Sequence, residues 1–150
     1  SGFGYEDGDD ATVLPEGTIA VLVRRAFTIE DVRAMKQLVL HIEYDDGFVA
    51  YLNGVEIARS NLPEDATFVT LATDPGGDDF VLFGVDPELL VDGRNVLAAE
   101  VHLADQEAED LSFDLQLVAT SLPLVGILAN DSDPDGDTAL MLACQWAEIR

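Results

Sequence analysis

Alternating apolar and polar positions dominate the chain between residues 38 and 59. This segment reads LVLHIEYDDGFVAYLNGVEIAR, and a period of two is typical of β-strands with one buried face. Asp45-Asp46-Gly47 predicts one tight turn. Asn53-Gly54 predicts a hairpin, because a type I′ turn needs positive φ at both central residues. We therefore expect three strands joined as a β-meander.

Similar alternation predicts further strands on either side of this segment. We expect them at residues 18–29, 80–85, 94–103 and 111–119, with a shorter one at 67–71. Single helical turns are expected at 30–35, where a loop is the alternative, and at 87–91. Many short strands between turns rich in Gly, Pro and Asp, with almost no helical periodicity, indicate an all-β fold. The predicted architecture is an antiparallel β-sandwich of the jelly-roll type.

The chain divides into a predicted module and a tail. At 150 residues, it is long enough for one domain with its own core. Pro123 marks the expected end of that domain, so we assign residues 1–120 to the β-sandwich and residues 121–150 to an acidic linker or tail. Cys144 is the single cysteine, which excludes a disulfide within the chain.

The chain is strongly acidic. Its 30 acidic residues outnumber 7 basic ones, and the formal net charge is −23. Such a charge argues against nucleic-acid binding, because phosphate contacts require Lys and Arg, and against binding to anionic membranes. The sequence also has no apolar run long enough to cross a bilayer. Three explanations of the acidity remain open: binding of divalent cations, a high-salt environment, or solubility.

Four segments together carry a resemblance to a known family. They are SGFGYEDGDDATVL, VLVRRAFTIED, LVLHIEYDDGFVAYLNGVEIARSNLP and LLVDGRNVLAAEVHLADQEAEDLSFDLQLVA, within residues 1–119. These segments resemble accessory modules of large secreted proteins from environmental bacteria. That family in turn resembles galactose-binding-like jelly rolls, the fold of many carbohydrate-binding modules. The resemblance implies a secreted, non-catalytic β-sandwich that binds carbohydrate or cell-surface material.

The tail carries a second, shorter resemblance. Residues 126–138, GILANDSDPDGDT, are similar to the opening of the cadherin-like tandem repeats of bacterial adhesins. Alternate positions here are acidic, and a loop of this kind offers several of the about six to eight oxygens that Ca²⁺ prefers. The predicted ligands are Asp131, Asp133, Asp135 and Asp137. A merely solvated acidic linker is the alternative.

A second Ca²⁺ site is expected between the N-terminal loop and the last strands, as in jelly rolls of this kind. Its predicted oxygen donors are Asp9, Asp10, Glu100 and Asp114, with carboxylates that simply face water as the alternative. His41 and His102 fall on outward faces by alternation. They would share a transition metal only if their strands are neighbours, and a surface or hydrogen-bonded histidine is the preferred interpretation.

Sugar binding usually combines an aromatic platform with polar groups. The predicted ligand-binding residues, at the ends of loops, are Tyr5, Asp45, Asp46, Tyr51, Asn53 and His102. Phe48, Phe68 and Phe83 are further aromatic candidates. Tyr44 and Phe113, in contrast, fall on apolar faces and are expected in the core. For the two aspartates, capping of their own turn is the alternative to a ligand role.

No catalytic motif accompanies these features. The sequence lacks a G-x-S-x-G nucleophile elbow and a phosphate-binding glycine motif before a helix. We therefore predict a non-catalytic, secreted or cell-surface module, stabilised by Ca²⁺, whose partner is a glycan or a cell-surface polymer. The alternative is a structural subunit of an adhesin, filament or surface layer, a homo-oligomer assembled through residues 121–150 and bridging cations.

Overall fold

The computed structural model of the protein describes residues 3–4, 12–13, 17–74, 81–105, 111, 113–121 and 142–145. These residues contain ten β-strands and two short 3₁₀ turns. The strands are β1 (Phe3–Gly4), β2 (Thr12–Val13), β3 (Ala20–Ile29), β4 (Met35–Tyr44), β5 (Gly47–Leu52), β6 (Val55–Ser60), β7 (Val81–Val85), β8 (Gly93–His102), β9 (Phe113–Ser121) and β10 (Leu142–Gln145). The 3₁₀ turns span Val32–Ala34 and Pro87–Leu89, where single helical turns were expected.

The longer strands form two antiparallel sheets of four strands each. Sheet I has the order β10-β9-β4-β7, and sheet II has the order β3-β8-β5-β6. Strands β1 and β2 pair in parallel as a separate two-stranded ribbon. The described residues contain no α-helix, so none of them forms a helix that could span a membrane. The predicted all-β, antiparallel sandwich is confirmed.

The connections between β3 and β9 explain why the fold is a sandwich. Among the strands described from β3 to β9, only β5 and β6 are consecutive neighbours in one sheet, and each of the other five steps leads from one sheet to the other. Repeated crossing of this kind is typical of jelly rolls, in which two sheets enclose a single core. The crossing connections therefore decide which side chains reach the outer faces.

One hydrophobic core lies between the two sheets. Alternation turns every second residue inward, and these side chains are almost fully buried: Leu38, Leu40 and Ile42 on β4, Phe48, Ala50 and Leu52 on β5, Leu97, Ala99 and Val101 on β8, and Phe113, Leu115 and Leu117 on β9. Burial of a leucine or phenylalanine side chain contributes about 1.5–3 kcal/mol. The core positions expected for Tyr44 and Phe113 are confirmed, since the two side chains are 8% and 1% exposed.

The β5–β6 connection is the hairpin predicted from Asn53-Gly54. The φ angles of these two residues are 52° and 84°, as a type I′ turn requires. The two strands pair in antiparallel register, with a bulge between Ala50 and Tyr51. The prediction of this turn from two residues is confirmed.

The predicted β-meander is wrong at its first turn. β4 belongs to sheet I and β5 to sheet II, so Asp45-Asp46 carries the chain across the sandwich instead of closing a hairpin. Large apolar side chains on both sides of the turn explain the difference. The rings of Tyr44 and Phe48 meet in the core with centroids 4.6 Å apart. Each strand must turn a buried face toward the other sheet, which a flat hairpin between them would not allow.

The strand expected at residues 67–71 is also absent from the described structure. Residues 61–74 form a loop, called loop 61–74 below, with local turns. Thr70 donates its backbone N–H to the carbonyl of Thr67 at 2.8 Å, and the Thr70 hydroxyl accepts from the Thr67 N–H at 2.8 Å. Phe68 and Val69, at the tip between them, are 58% and 77% exposed. These hydrogen bonds within the turn replace those of a strand.

Loop 61–74 is fixed to the turn between β4 and β5. Asn61 donates its side-chain amide to the carbonyl of Asp46 at 2.8 Å. Ala72 N–H donates to the carbonyl of Leu103 at 2.9 Å, and Thr73 N–H donates to the carbonyl of Asn61 at 2.8 Å. Both ends of the loop are thus held, and the loop lies over part of the outer face of sheet II.

Part of the tail joins sheet I. Leu142–Gln145 forms β10, which pairs antiparallel with β9; Leu142 is opposite Ala119 and Gln145 is opposite Gln116. The short strand therefore lies at the edge of the sheet. The acidic segment that precedes it is outside the described residues, and the boundary at residue 120 stays a prediction.

Gly47 is the tightest point of the crossing and supplies a test of it. A Cβ atom there would lie 2.8 Å from Ala72 Cβ and 3.0 Å from the Asn61 carbonyl oxygen. We expect Gly47→Ala to lower the free energy of unfolding by about 1–3 kcal/mol, measured by urea denaturation. Gly84→Ala on β7 is the matched control, because a Cβ there meets no atom within 4 Å. Equal stability of the two variants would contradict the close approach.

Candidate functional site

The outer face of sheet II brings together side chains from three strands. The register places Leu22 of β3 opposite Glu100 of β8, and Arg24 opposite Ala98. On the other side of β8, Tyr51 of β5 is also opposite Ala98. Since side chains alternate between the two faces of a strand, these residues share the face that is turned away from the core.

These side chains surround a pocket of about 290 Å³. Its lining residues are Leu22, Val23, Arg24, Tyr51, Ala98, Ala99 and Glu100. Small-molecule sites typically measure about 300–1,000 Å³, and this pocket lies at the lower limit of that range. Leu22 is 55% exposed, which gives the pocket an apolar wall that solvent reaches.

The pocket combines an aromatic ring, a cation and an anion. Tyr51 is partly buried, Arg24 is exposed, and the side chain of Glu100 is 25% exposed. Arg24 and Glu100 form no ion pair with each other. The guanidinium can therefore donate hydrogen bonds to a bound hydroxyl group, and the carboxylate can accept one from it.

A bidentate ion pair supports the rim of the pocket beyond Tyr51. Glu56 of β6 lies opposite Tyr51, and Arg59 donates to it from Nε to Oε1 at 2.9 Å and from Nη2 to Oε2 at 2.8 Å. Arg59 Nη1 also donates to the carbonyl of Pro63 in loop 61–74 at 2.7 Å. The hydrogen bonds between the two side chains lower the pKa of Glu56 and raise the pKa of Arg59.

His102 lies on the same face, as alternation predicted, yet it is fully buried beneath loop 61–74. Its Nδ1 is 2.8 Å from the Thr70 carbonyl oxygen. Because a carbonyl only accepts hydrogen bonds, Nδ1 carries the proton. Its Nε2 is 3.5 Å from Glu100 Oε2, outside hydrogen-bond geometry. The interpretation of His102 as a hydrogen-bonded histidine is therefore correct for Nδ1.

Asp46 takes part in the architecture of the β4–β5 turn. It is 7% exposed, and its Oδ2 accepts from the backbone N–H of Ala104 at 2.5 Å. Asp45, next to it, is partly buried. The alternative of a turn-stabilising role, which the sequence left open, therefore describes Asp46.

Asn53 connects the tip of the β5–β6 hairpin to β8 and to the segment that precedes it by hydrogen bonds. Its Nδ2 donates to the carbonyl of Leu89 and to Asn95 Oδ1, both at 2.8 Å, while its Oδ1 accepts from the Val96 N–H at 2.9 Å. Asn95, itself 0% exposed, accepts from the Val91 N–H at 2.9 Å. The polar atoms of Asn53 are therefore used within the domain.

Two of the aromatic candidates belong to the core. Phe48 is 0% exposed, and the partly buried Phe83 packs on it with ring centroids 5.7 Å apart. Both would have to leave the core to contact a sugar, so neither serves as a platform. Tyr51 and Phe68 remain accessible, whereas Tyr5 lies outside the described residues.

The predicted metal ligands are only partly within the described structure. Glu100 is on β8 of sheet II and Asp114 is on β9 of sheet I, so the two residues are not on neighbouring strands. Asp9, Asp10, Asp131, Asp133, Asp135 and Asp137 lie outside the described residues, and both Ca²⁺ sites stay predictions. Within the described ranges, no group of three or more His, Cys, Asp or Glu side chains could hold a metal.

The two histidines also occupy different sheets. His41 is on β4 of sheet I, and His102 is on β8 of sheet II. Their strands are not neighbours, so the condition for a shared transition-metal site is not met. Alternation gave each residue its correct face, but it carries no information on which sheet contains the strand.

Sequence reasoning missed Leu22 and Arg24 as pocket residues. Both belong to the predicted first long strand, whose outward positions are Leu22, Arg24 and Ala26. Alternation along this strand could have placed both side chains on its outward face. What the sequence did not supply was the pairing of β3 with β8, which brings Arg24 near Glu100.

Comparison with known proteins shows similarity of fold. No protein-family model and no curated protein matches the chain. A solved α-L-rhamnosidase of Streptomyces avermitilis, complexed with L-rhamnose, is similar over 73% of this chain, with 19% sequence identity and a TM-score of 0.51. An α-L-rhamnosidase of Dictyoglumus thermophilum matches 67% of this chain, with 17% identity and a TM-score of 0.48. This chain spans about 10% and 11% of those two proteins.

The Glu56–Arg59 pair generates a prediction for the rim. We expect the pKa of Glu56, followed by NMR titration of its carboxyl carbon, to rise toward its ordinary value in Arg59→Gln. A lowered folded-state pKa contributes stability above the unfolded pKa, and this contribution is lost as pH falls through the folded pKa. Because the carboxylate is largely exposed, the contribution of the ion pair to stability is less than about 1 kcal/mol. An unchanged Glu56 titration in the variant would contradict the pairing.

Proposed function

We propose that this chain is a non-catalytic module that binds carbohydrate on the outer face of sheet II. The observation that carries the proposal is the pocket of about 290 Å³ with Tyr51, Arg24 and Glu100 in its lining. Sugar-binding sites need an apolar surface for the ring and polar groups for the hydroxyls. The three side chains and the exposed wall of Leu22 supply both kinds of contact.

The polar groups of the pocket favour a neutral sugar. Arg24 can donate to ring or hydroxyl oxygens, and Glu100 can accept from hydroxyl groups. A sugar that carries its own carboxylate or sulfate would meet Glu100 and the field of a chain with net charge −23. The proposed ligand is therefore a neutral sugar residue, and the small pocket volume favours the end of a glycan over its interior.

An accessory role outside the cell agrees with the other observations. The region of fold similarity makes up about 10% of a rhamnosidase, which fits a part of a larger protein rather than a whole enzyme. The resemblance of residues 1–119 to modules of secreted proteins supports a secreted or cell-surface location. We propose no reaction for the chain, because the pocket side chains offer contacts to hydroxyl groups and no activated nucleophile.

A second candidate function is structural. The observation that favours it is β10, a short strand from the tail that pairs with the edge of sheet I. An edge strand joined to its domain through a long connection can pair with a second copy instead, which produces a dimer or a filament. Bridging cations between acidic surfaces would support such an assembly of a chain that carries 30 acidic residues.

Truncation of the aromatic ring tests the binding proposal. We expect wild-type protein to bind neutral methyl glycosides or neutral plant, algal or bacterial glycans, measured on an array and by calorimetry. Tyr51→Ala should weaken that binding about tenfold or more, since it removes the platform for the ring. Leu82→Ala is the matched control, because Leu82 is a 62% exposed side chain on sheet I. Full affinity in Tyr51→Ala, or silence across all glycans, would overturn the proposal.

Calcium dependence is tested by thermal unfolding. If Ca²⁺ binds the folded state only, millimolar Ca²⁺ should raise Tm by several degrees relative to EDTA, because mass action contributes about 2.7 kcal/mol at one hundred times Kd. Replacement of Asp133 and Asp135 by Asn should remove part of the shift, whereas equal curves with Ca²⁺ and EDTA would remove the metal hypothesis.

The same samples distinguish the two candidate functions by size. Sedimentation of a monomer both with Ca²⁺ and with EDTA would count against the structural subunit, and a Ca²⁺-dependent oligomer would favour it. The glycan measurement is independent of this result, so binding and assembly are separated.

A further inference from the structure

We propose that the tip of loop 61–74 is a second contact site for the glycan, which binds the sugar residue next to the one in the pocket. Phe68 stacks on that second sugar, and Val69 extends the apolar surface beside it. The ligand is therefore a neutral chain of at least two sugar residues. The second site rests on the proposed function, which supplies the first sugar, and affinities for one and for two sugars separate the two.

The two side chains at the tip are exposed and apolar. Phe68 is 58% exposed and Val69 is 77% exposed, and neither belongs to the hydrophobic core. Single exposed apolar side chains are common on protein surfaces, so exposure alone assigns no function to them. What distinguishes this pair is where the turn lies and how firmly its backbone is held.

The turn lies at one end of the pocket. The outward positions of β8 run from Ala98 through Glu100 to His102; the first two line the pocket, and the loop covers the third. The Thr70 carbonyl oxygen is 2.8 Å from His102 Nδ1, and Nε2 of the same ring is 3.5 Å from Glu100 Oε2. A single imidazole ring thus separates the wall of the pocket from the turn that carries Phe68. A sugar joined to the one in the pocket can reach the tip.

Hydrogen bonds fix the backbone of the turn. The Thr70 N–H donates to the Thr67 carbonyl at 2.8 Å, and the Thr70 hydroxyl accepts from the Thr67 N–H at 2.8 Å. At the end of the loop, the Thr73 N–H donates to the carbonyl of Asn61 at 2.8 Å. The tip is therefore in place before a ligand arrives, which lowers the entropic cost of binding.

The charges around the tip favour a neutral second sugar. Residues 61–74 contain Glu64, Asp65 and Asp74 and no Lys or Arg, and these three acidic residues are exposed. A uronic acid or a sulfated sugar at the tip would meet three like charges and no cation of the loop. A neutral sugar avoids this repulsion and offers the C–H groups of its ring to the face of Phe68.

A lipid surface is the other class of partner that an exposed apolar tip could contact. The acidic residues of the loop and the net charge of −23 disfavour an approach to anionic bilayers. Two side chains also supply little apolar area for insertion, which scales with the area buried. The short distance from the turn to the pocket favours the sugar, and membrane binding becomes one outcome of the test.

Affinity for one sugar and for two sugars tests the second site. The ligands for calorimetry are the neutral methyl glycoside that wild type binds best on the array and the neutral disaccharides that carry this sugar at the free end. We expect wild type to bind the best of these disaccharides about tenfold more tightly than the methyl glycoside. Phe68→Ala should abolish that gain without changing the affinity for the methyl glycoside, whereas Phe68→Tyr should keep the gain, because it keeps the ring.

Two control variants and a stability measurement make the result specific. Tyr51→Ala should weaken the binding of both ligands, because it changes the pocket itself. Leu82→Ala, at a 62% exposed position on sheet I, should change neither affinity. Phe68→Ala should unfold at the same urea concentration as wild type, since the Phe68 side chain is largely exposed. Loss of the gain with unchanged stability then reports on contact with the ligand.

Four results would overturn the second site. They are equal affinities of wild type for one and two sugars, an undiminished gain in Phe68→Ala, an equal loss in Phe68→Tyr, and binding to phosphatidylcholine vesicles that Phe68→Ala removes while wild type shows no disaccharide gain. Each of them leaves the proposed function standing if the methyl glycoside binds in the pocket. Silence of wild type toward every glycan would instead contradict the proposed function, and the second site with it.

Discussion

The crossing of the chain at Asp45-Asp46-Gly47 is the constraint on which the rest of the structure depends. On its inner side, the rings of Tyr44 and Phe48 meet in the core and join the two sheets. On its outer side, Gly47 leaves room for Ala72 and Asn61 to approach the backbone closely. Loop 61–74 can therefore lie flat on sheet II, and it decides which part of that face is closed and which part remains open as the pocket.

Local signals predicted most of the strands, and the positions where they failed share a cause. Asn53-Gly54 needs only its own two φ angles to form a hairpin, so two residues sufficed for the prediction. Asp45-Asp46-Gly47 is an equally good turn signal, but the partner of β5 is β8, about fifty residues later. Strand pairing across that distance depends on the packing of the whole core, which a turn motif does not encode.

The candidate site shows the same division between local and distant information. Alternation placed His102 on the outer face, but the residue is buried because loop 61–74 covers it. The loop contacts His102 through the carbonyl of Thr70, which lies 32 residues earlier in the chain. Tyr51 was predicted for the site from its residue type, whereas Arg24 joins it only because β3 pairs with β8. The loop-end residues Asp46 and Asn53 use their polar atoms within the fold. Residue type thus suggested which side chains could bind a ligand, whereas strand register determined which of them line the pocket.

The tip of loop 61–74 has a consequence for how such a module can diversify. Both ends of the loop are anchored by main-chain hydrogen bonds and by Asn61, none of which involves the side chains of Phe68 and Val69. These two side chains project into solvent and contribute little to folding. Substitutions at the tip can accumulate at small thermodynamic cost, so the scaffold can present new contact surfaces beside an unchanged pocket. The loop is in this respect a natural position for evolving, or for engineering, recognition of different partners.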